Sequence, residues 1–275
     1  MKKFLKTVVG QILIIIIPQK TAVLSGKGMT IDMGLTARDR LIRYAILEKA
    51  KKKKDFETLS NLHQDYWVNK GEEYFSSGFN NNVLENFFIP KCSFLFDLLH
   101  EQIKAESLTF NTLVEIGTGD GTILQHLSTK FPQIDKFVGI DLSSAQIEAN
   151  KAVFTNSSNL EFVASDGCDW IKKNGHDQMI IVTSRGVLEY FTQSKLQEFF
   201  NELNNLSKIF FVAIEPTGVN HDILKNPDSE IYGSENSFSH NYSQLFKNSG
   251  FKIWHQSKEP FASMDYCMNF IGAKN

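Results

Sequence analysis

Three glycines at alternate positions, in the stretch LVEIGTGDGT at residues 113–122, most constrain how this chain can fold. They follow an apolar run that ends at Glu115 and precede a predicted helix. Glycine has no Cβ, so a loop rich in it adopts left-handed backbone angles and lets a ligand approach the main chain. Between a strand and a helix N-terminus, such a loop also presents N–H groups and the positive end of the helix dipole. The stretch therefore predicts a ligand site at the first strand–helix connection of an α/β fold.

The chain after residue 109 alternates short β-rich runs with helical stretches, which is typical of a parallel sheet covered on both faces. Residues 216–239 are rich in Pro, Gly, Asn and Ser and are predicted to form a loop insertion. Strands are predicted at 111–116, 136–141, 160–165, 178–184, 208–214, 251–257 and 264–273. Helices are predicted at 122–131, 143–154, 167–173 and 194–206, and from about residue 241.

The part of the chain before residue 109 has a different texture. Residues 31–108 read as a helical region rich in aromatic side chains, and residues 1–30 are basic and apolar. The apolar run from Val8 to Ile17 is short of the roughly 20 residues that a membrane-spanning helix needs, and no A-x-A cleavage site follows it. Two interpretations remain open. The segment lies in a membrane interface, aided by basic residues and anionic lipid, or it packs on the protein or a dimer partner.

Charge is unevenly distributed along the chain. Residues 1–54 hold 13 of the 29 Lys and Arg and three acidic residues, a net charge of +10, so the remainder carries −12. An acidic main domain disfavours a polyanion lying across it, and nucleic acid is not expected as a partner.

Cysteine and histidine positions bear on metals and on redox setting. Cys92, Cys168 and Cys267 are widely spaced and form no CxxC or Cys/His cluster, which predicts neither a disulfide framework nor a metal site. A reducing, cytoplasmic location is expected, with membrane association left open.

The glycine loop differs from that of dinucleotide-binding proteins, which reads G-x-G-x-x-G. Here Gly117, Gly119 and Gly121 give G-x-G-x-G, with Glu115 two residues earlier. This pattern resembles motif I of the class I S-adenosylmethionine-dependent methyltransferases. The resemblance runs from about residue 110 to 273 and implies a doubly wound, mostly parallel seven-stranded sheet whose last strand is antiparallel. A NAD(P)-dependent oxidoreductase and a non-catalytic binding module that keeps the fold remain the alternatives.

Two further acids stand where predicted strands end. Asp141 lies 24 residues after Gly117, close to the roughly 20-residue offset of an acid that binds ribose hydroxyls. Alternatively, it caps the helix that follows. Asp166 ends the third strand, and the resemblance implies that it accepts the adenine amino group.

The resemblance also implies the remaining cofactor contacts. Ser184 and Arg185 end the fourth strand, between the sulfonium and the acceptor, although Arg185 could instead form a surface ion pair. The full predicted cofactor site is Glu115, Gly117, Thr118, Gly119, Gly121, Asp141, Leu142, Asp166, Gly167, Ser184 and Arg185.

Methyl transfer to a hydroxyl needs alignment and a base. The candidate bases are His240, Glu189 and Tyr190, and Glu215 is a further possibility. Aromatic residues at 66–75 either close over the cofactor or pack the helical region onto the sheet. No D/N-P-P-Y/F sequence is present, which disfavours methylation of base amines or glutamine amides. The sequence predicts a methyltransferase for a small-molecule, glycan-linked or lipid-linked acceptor, with O-methylation favoured over N-methylation.

Overall fold

The structure, a computed structural model, describes residues 2–78, 82–261 and 265–275. Its first part is helical. The helices are α1 (Lys2–Ile16), α2 (Pro18–Gly26), α3 (Ala37–Lys53), α4 (Phe56–Ser76) and α5 (Ser93–Ala105), with a π-helical segment at Leu84–Cys92. That segment contains Pro90, which has no N–H to donate to the preceding turn.

Helix α1 packs antiparallel on α3, because Lys20, just after α1, pairs with Asp39 at 2.8 Å near the start of α3, whereas Lys6 lies over Tyr44, further along α3. The ammonium of Lys6 lies 5.9 Å from the ring centre of Tyr44, and α1 crosses α3 at Gly10. A Cβ at Gly10 would lie 2.3 Å from the Leu41 carbonyl oxygen and 2.6 Å from Ala45 Cβ, so only glycine allows this approach. One face of the segment thus packs on the protein, as one of the two interpretations expects, and the other face is exposed.

Within the described residues, no helix is by itself both long and apolar enough to cross a bilayer. Residues Phe4–Ile16 and Pro18–Gly26 reach that length and composition only as a pair, and they are bent by 106°.

The second part is a seven-stranded sheet flanked by helices, and the predicted fold is confirmed. The strands are β1 (Thr112–Ile116), β2 (Lys136–Asp141), β3 (Leu160–Ala164), β4 (Met179–Ser184), β5 (Phe210–Gly218), β8 (Lys252–Pro260) and β9 (Tyr266–Lys274), with a separate hairpin of β6 (Glu230–Tyr232) and β7 (Ser237–Ser239). The helices are α6 (Thr122–Lys130), α7 (Ser144–Val153), α8 (Gly167–Asn174), α9 (Gln193–Leu203) and α10 (Tyr242–Asn248). The strand order is β3-β2-β1-β4-β5-β9-β8. Strand β9 runs antiparallel to both of its neighbours, β5 and β8.

Burial on both faces explains why the central strands read as apolar runs rather than alternating patterns. Every residue of β1, β4 and β5 is buried. Successive residues of β5, Phe210 and Phe211, belong to two different core clusters, one on each face of the sheet.

The predicted loop insertion at 216–239 is partly wrong. β5 continues to Gly218 because it pairs with β9 through Gly218 and Tyr266, and the hairpin β6–β7 follows. Long-range pairing with a strand near the C-terminus extends β5 beyond the local sequence signal.

Candidate active site

A cavity of about 540 Å³ lies at the carboxyl ends of the central strands. The strand order reverses between β1 and β4, and open α/β sheets bind ligands in the crevice at such a reversal. The glycine loop, the ends of β2 and β4 and the first residues of α8 form its base, and aromatic side chains of α4 form its roof. Its volume is within the range of small-molecule sites.

All three glycines of the loop have left-handed backbone angles, with φ of 72° at Gly117, 53° at Gly119 and 76° at Gly121. The loop is also tightly enclosed. A Cβ at Gly117 would lie 2.5 Å from Val187 Cγ2, and one at Gly119 would lie 2.6 Å from Phe75 Cζ. The loop can therefore keep its shape and its open backbone only with glycine at these positions.

Gly117→Ala should destabilise the fold by about 1–3 kcal/mol more than Gly34→Ala. Both residues have left-handed φ, so both variants incur the same backbone strain, but a Cβ at Gly34 meets nothing within 4 Å. The difference in unfolding free energy, measured in urea, isolates the clash with Val187. Equal destabilisation would show that the loop is not enclosed as described.

Glu115 lies behind the loop rather than in the cavity wall. Its side chain is fully buried, and its carboxylate accepts hydrogen bonds from Thr118 Oγ1 at 2.8 Å and Ser184 Oγ at 2.6 Å. It thereby ties the glycine loop to the end of β4. Burial raises the pKa of Glu115 to about 8. Glu115 therefore holds the loop from inside the protein and does not line the cavity, and its predicted place in the cofactor site stays a prediction.

Glu115→Gln should gain stability relative to the unchanged protein as the pH rises. The folded-state pKa of Glu115 is raised from 4.5 to about 8, so its contribution is fully present below pH 4.5 and is lost as the pH rises through about 8. Glutamine has no such titration, and the unfolding free energy of the variant should improve by about 2–4 kcal/mol between pH 5 and pH 9, relative to the unchanged protein. Denaturant unfolding at both pH values checks this, with Glu101→Gln on the exposed side of α5 as the control. A pH-independent difference would contradict the raised pKa.

Asp141 ends β2 and lines the cavity. Oδ2 accepts a hydrogen bond from the Gly119 N–H and Oδ1 accepts one from the Ser143 N–H, both at 3.0 Å. Ser143, rather than Asp141, caps α7. A carboxylate oxygen has two acceptor positions, so each oxygen of Asp141 can still accept a ligand hydroxyl. Burial raises the pKa of Asp141.

Asp166 also lines the cavity and caps α8. Oδ1 accepts from the N–H groups of Cys168 and Asp169, and Oδ2 lies 3.2 Å from the ammonium of Lys195. Because Lys195 is nearly thirty residues further on, in α9, sequence spacing did not indicate this partner.

The turn after β4 supplies a second wall. Two predicted site residues, Ser184 and Arg185, line the cavity at this turn. Three other predicted residues line it elsewhere: Thr118 in the glycine loop, Leu142 just after β2 and Gly167 at the start of α8. Arg185 has a left-handed φ of 65° and places its guanidinium 5.7 Å from the ring centre of Phe87.

The third wall holds two carboxyl groups, the buried one of Glu189 and the half-buried one of Glu235. Tyr232 donates its hydroxyl to Glu189, and Tyr190 donates its own to Glu235 Oε2 at 3.1 Å. Burial and the neighbouring Glu235 raise the pKa of Glu189 well above its usual value, and burial also raises that of Glu235. Glu189 and Tyr190 were predicted as site residues. Tyr232 and Glu235 were not, because they lie in the segment that the sequence predicts as a loop.

His240 does not reach the cavity. Its ring is 1% exposed, its Nδ1 lies 2.5 Å from Ser229 Oγ, and burial lowers its pKa to about 3. This position and pKa speak against His240 as the base.

Glu215 likewise has a structural position. It lies inside β5 and accepts hydrogen bonds from the Val187 and Leu188 N–H groups, each at 3.0 Å, so it holds the turn that carries Glu189. Burial raises its pKa to about 8.

Helix α4 forms the roof with Trp67, Tyr74 and Phe75. The rings of Trp67 and Tyr190 are 5.8 Å apart, and Ser60 donates to the Tyr190 carbonyl at 2.8 Å. The aromatic cluster therefore both encloses the cavity and packs the helical region onto the sheet domain, so the two alternatives are not exclusive.

Arg43 of α3 strengthens this attachment. Its Nε donates to the Met29 carbonyl at 2.6 Å, and its terminal nitrogen lies 3.4 Å from the carbonyl of Ser234 in the cavity wall.

Among the residues described, no group of three or more His, Cys, Asp or Glu side chains is arranged to bind a metal.

A family model described as "Methyltransferase domain" matches residues 113–208, which begin in β1 and end just before β5. Residues 113–208 therefore carry a methyltransferase domain, and the strand order is the one typical of class I S-adenosylmethionine-dependent methyltransferases. No curated protein sequence matches the chain significantly.

Solved structures share the fold of this methyltransferase at low identity. Magnesium protoporphyrin IX methyltransferase from Synechocystis PCC 6803, solved with bound SAM, is 11% identical with a TM-score of 0.53, over 79% of this chain and 97% of that one. N-methyltransferase NodS from Bradyrhizobium japonicum WM9 is 12% identical with a TM-score of 0.50, over 75% and 98%. The [4+2]-cyclase SpnF is 12% identical with a TM-score of 0.54, over 76% and 96%. At such identities the likeness concerns the fold, and SpnF illustrates that one fold hosts different reactions.

Proposed function

We propose that this methyltransferase binds S-adenosylmethionine in the cavity and methylates a hydroxyl group of a small-molecule, glycan-linked or lipid-linked acceptor. The observation that carries the proposal is the convergence of the glycine loop, Asp141 and Asp166 on one cavity. When bound, the cofactor supplies an electrophilic methyl group on its sulfonium.

The residues present fit this cofactor. Because its glycines have no Cβ, the loop exposes main chain to a ligand at positions where any side chain would collide with neighbouring residues. Asp141 has acceptor positions free for two ribose hydroxyls. Asp166 Oδ2 has a further acceptor position for an adenine amino group beside Lys195. The relatives solved with SAM or SAH support the same assignment.

Glu189 is the proposed base. It lies in the cavity wall, and its raised pKa makes its carboxylate a stronger proton acceptor than an ordinary carboxylate. Tyr232 holds the carboxylate in place, and Glu215 holds the turn that presents it. The aromatic roof covers one side of the cavity and limits the positions open to the acceptor, which favours its alignment with the cofactor.

N-methylation is a second candidate that a specific observation favours. Two carboxyl groups, Glu189 and Glu235, share the cavity with the rings of Trp67, Tyr74 and Tyr190, and acids with aromatic faces attract a cationic amine.

The experiment uses purified protein and S-adenosylmethionine with a deuterated methyl group, added to an extract of cells that lack the protein. Mass spectrometry should find a product that gains the labelled methyl group, and fragmentation should place it on oxygen. A label on nitrogen would select the second candidate. No labelled product, despite cofactor binding, would overturn the proposal in favour of a binding module.

A further inference from the structure

Helices α1 and α2 expose an apolar surface that the fold leaves uncovered. Its exposed large side chains are Phe4, Leu5, Ile12, Ile15, Ile16 and Val23. Phe4 is 74% exposed and Ile15 is 77% exposed, which is unusual for side chains of this size. We call the five of these residues that lie in α1, all except Val23, the apolar face.

Five of the six residues lie on one side of α1. They follow the helical spacing of three, four and seven residues, and Gly10, which faces α3, lies on the opposite side. A helix of a soluble domain normally turns its apolar side inward and its polar side outward. Here the packing on α3 fixes α1 with large apolar side chains outward, and contiguous exposed apolar surface marks an interaction site.

Basic residues lie near this face, on the α3 side of α1. Because α1 runs antiparallel to α3, the N-terminal end of α1 lies beside the C-terminal end of α3, where Lys51, Lys52, Lys53 and Lys54 are exposed. Lys6 and Lys27 are exposed as well. Residues 1–54 carry a net charge of +10.

This positive charge favours an anionic lipid surface over a second copy of the chain as the partner of the apolar face. An anionic lipid surface attracts clustered lysines by about 1 kcal/mol each near the membrane. A second copy of the chain, by contrast, would bring the same basic surface against itself in a symmetric dimer, at a cost in repulsion. The combination of apolar face and lysines is characteristic of helices that lie in the bilayer interface.

We propose that α1 lies flat on an anionic bilayer, with the apolar face inserted among the lipid headgroups and upper acyl chains and the lysines at the headgroup level. Fifteen residues of α-helix extend roughly 22 Å, which suits a helix in the interface rather than one across the hydrocarbon core. The proposal rests on surface residues and is independent of the proposed reaction.

Flotation of the full chain tests this with two kinds of vesicle, one of phosphatidylcholine and one of equal parts phosphatidylcholine and phosphatidylglycerol. The chain should float with the anionic vesicles and do so less at high salt, because salt screens the lysines. The double variant Ile12→Ser and Ile16→Ser should lower the partition coefficient by about a hundredfold, since two inserted isoleucines are lost.

Matched variants separate the contribution of the apolar face to vesicle binding from that of the lysines. Leu224→Ser, which removes a 93% exposed leucine outside the face, should float like the unchanged chain. Neutralising Lys51, Lys52 and Lys53 to glutamine should weaken flotation without altering the apolar face. Thermal unfolding shows that each variant is folded.

Two results would overturn the proposal. One is recovery of the unchanged chain in the unbound fraction with both vesicle types. The other is a dimer in solution that the Ile12→Ser and Ile16→Ser variant dissociates while vesicle binding is unaffected, because a second copy would then be the occupant.

Discussion

Asp141→Asn should weaken the binding of S-adenosylhomocysteine about a hundredfold. In the proposed complex each carboxylate oxygen accepts a ribose hydroxyl, and hydrogen bonds to a charged group contribute roughly 1.5–3 kcal/mol each. The asparagine oxygen can accept at one position, but the amide nitrogen cannot accept at the other. Calorimetric titration measures the change.

The control for this variant is Asp135→Asn, an exposed aspartate just before β2. Because Asp141 also accepts from the Gly119 and Ser143 N–H groups, the urea midpoint of each variant must be measured first. A folded Asp141→Asn protein with unchanged affinity would remove Asp141 from the site.

Glu189→Gln should lower kcat by about 10²–10⁴-fold, the usual contribution of a general base, with cofactor affinity unchanged. Glutamine keeps the volume of Glu189 and can accept from Tyr232, so the wall should retain its shape. In the unchanged enzyme kcat should rise with pH and then level off, because the base acts only when deprotonated. Its raised pKa places that rise at higher pH than for an ordinary carboxyl group.

The pH profile of this variant distinguishes the two candidate reactions. With a hydroxyl acceptor, the rise in kcat attributed to Glu189 should disappear in Glu189→Gln. With an amine acceptor the profile should persist, since the acceptor itself must lose a proton. Glu198→Gln, on the exposed side of α9, is the control. Full activity in Glu189→Gln would exclude Glu189 as the base.

Local patterns predicted the sheet well because its central strands are buried on both faces and are separated by clear turn signals. The glycine loop and the acids at the ends of β2 and β3 were visible for the same reason, since strand ends meet at one edge of a parallel sheet. The part of the site that depends on contacts between residues distant in sequence could not be predicted. Lys195 reaches Asp166 from another helix, and Glu235 reaches Tyr190 from the hairpin after β5.

Two predicted site residues, His240 and Glu115, do not line the cavity, for reasons that residue type does not reveal. A histidine normally has a pKa suited to a base near neutral pH. Burial inside the protein lowers the pKa of His240, and only its three-dimensional position reveals this. Glu115 belongs to the glycine motif, yet its side chain points to Thr118 and Ser184 because the loop needs an internal acceptor. The exposed side of α1 could not be told from the buried side until the crossing at Gly10 was located.

Calorimetric titration of the folded 275-residue chain with S-adenosylhomocysteine and, separately, with NAD tests the central claim most directly. The cavity between the glycine loop, Asp141 and Asp166 predicts saturable binding of S-adenosylhomocysteine at one site per chain and little or no heat from NAD. Preferential binding of NAD, or no binding of S-adenosylhomocysteine or S-adenosylmethionine, would contradict it.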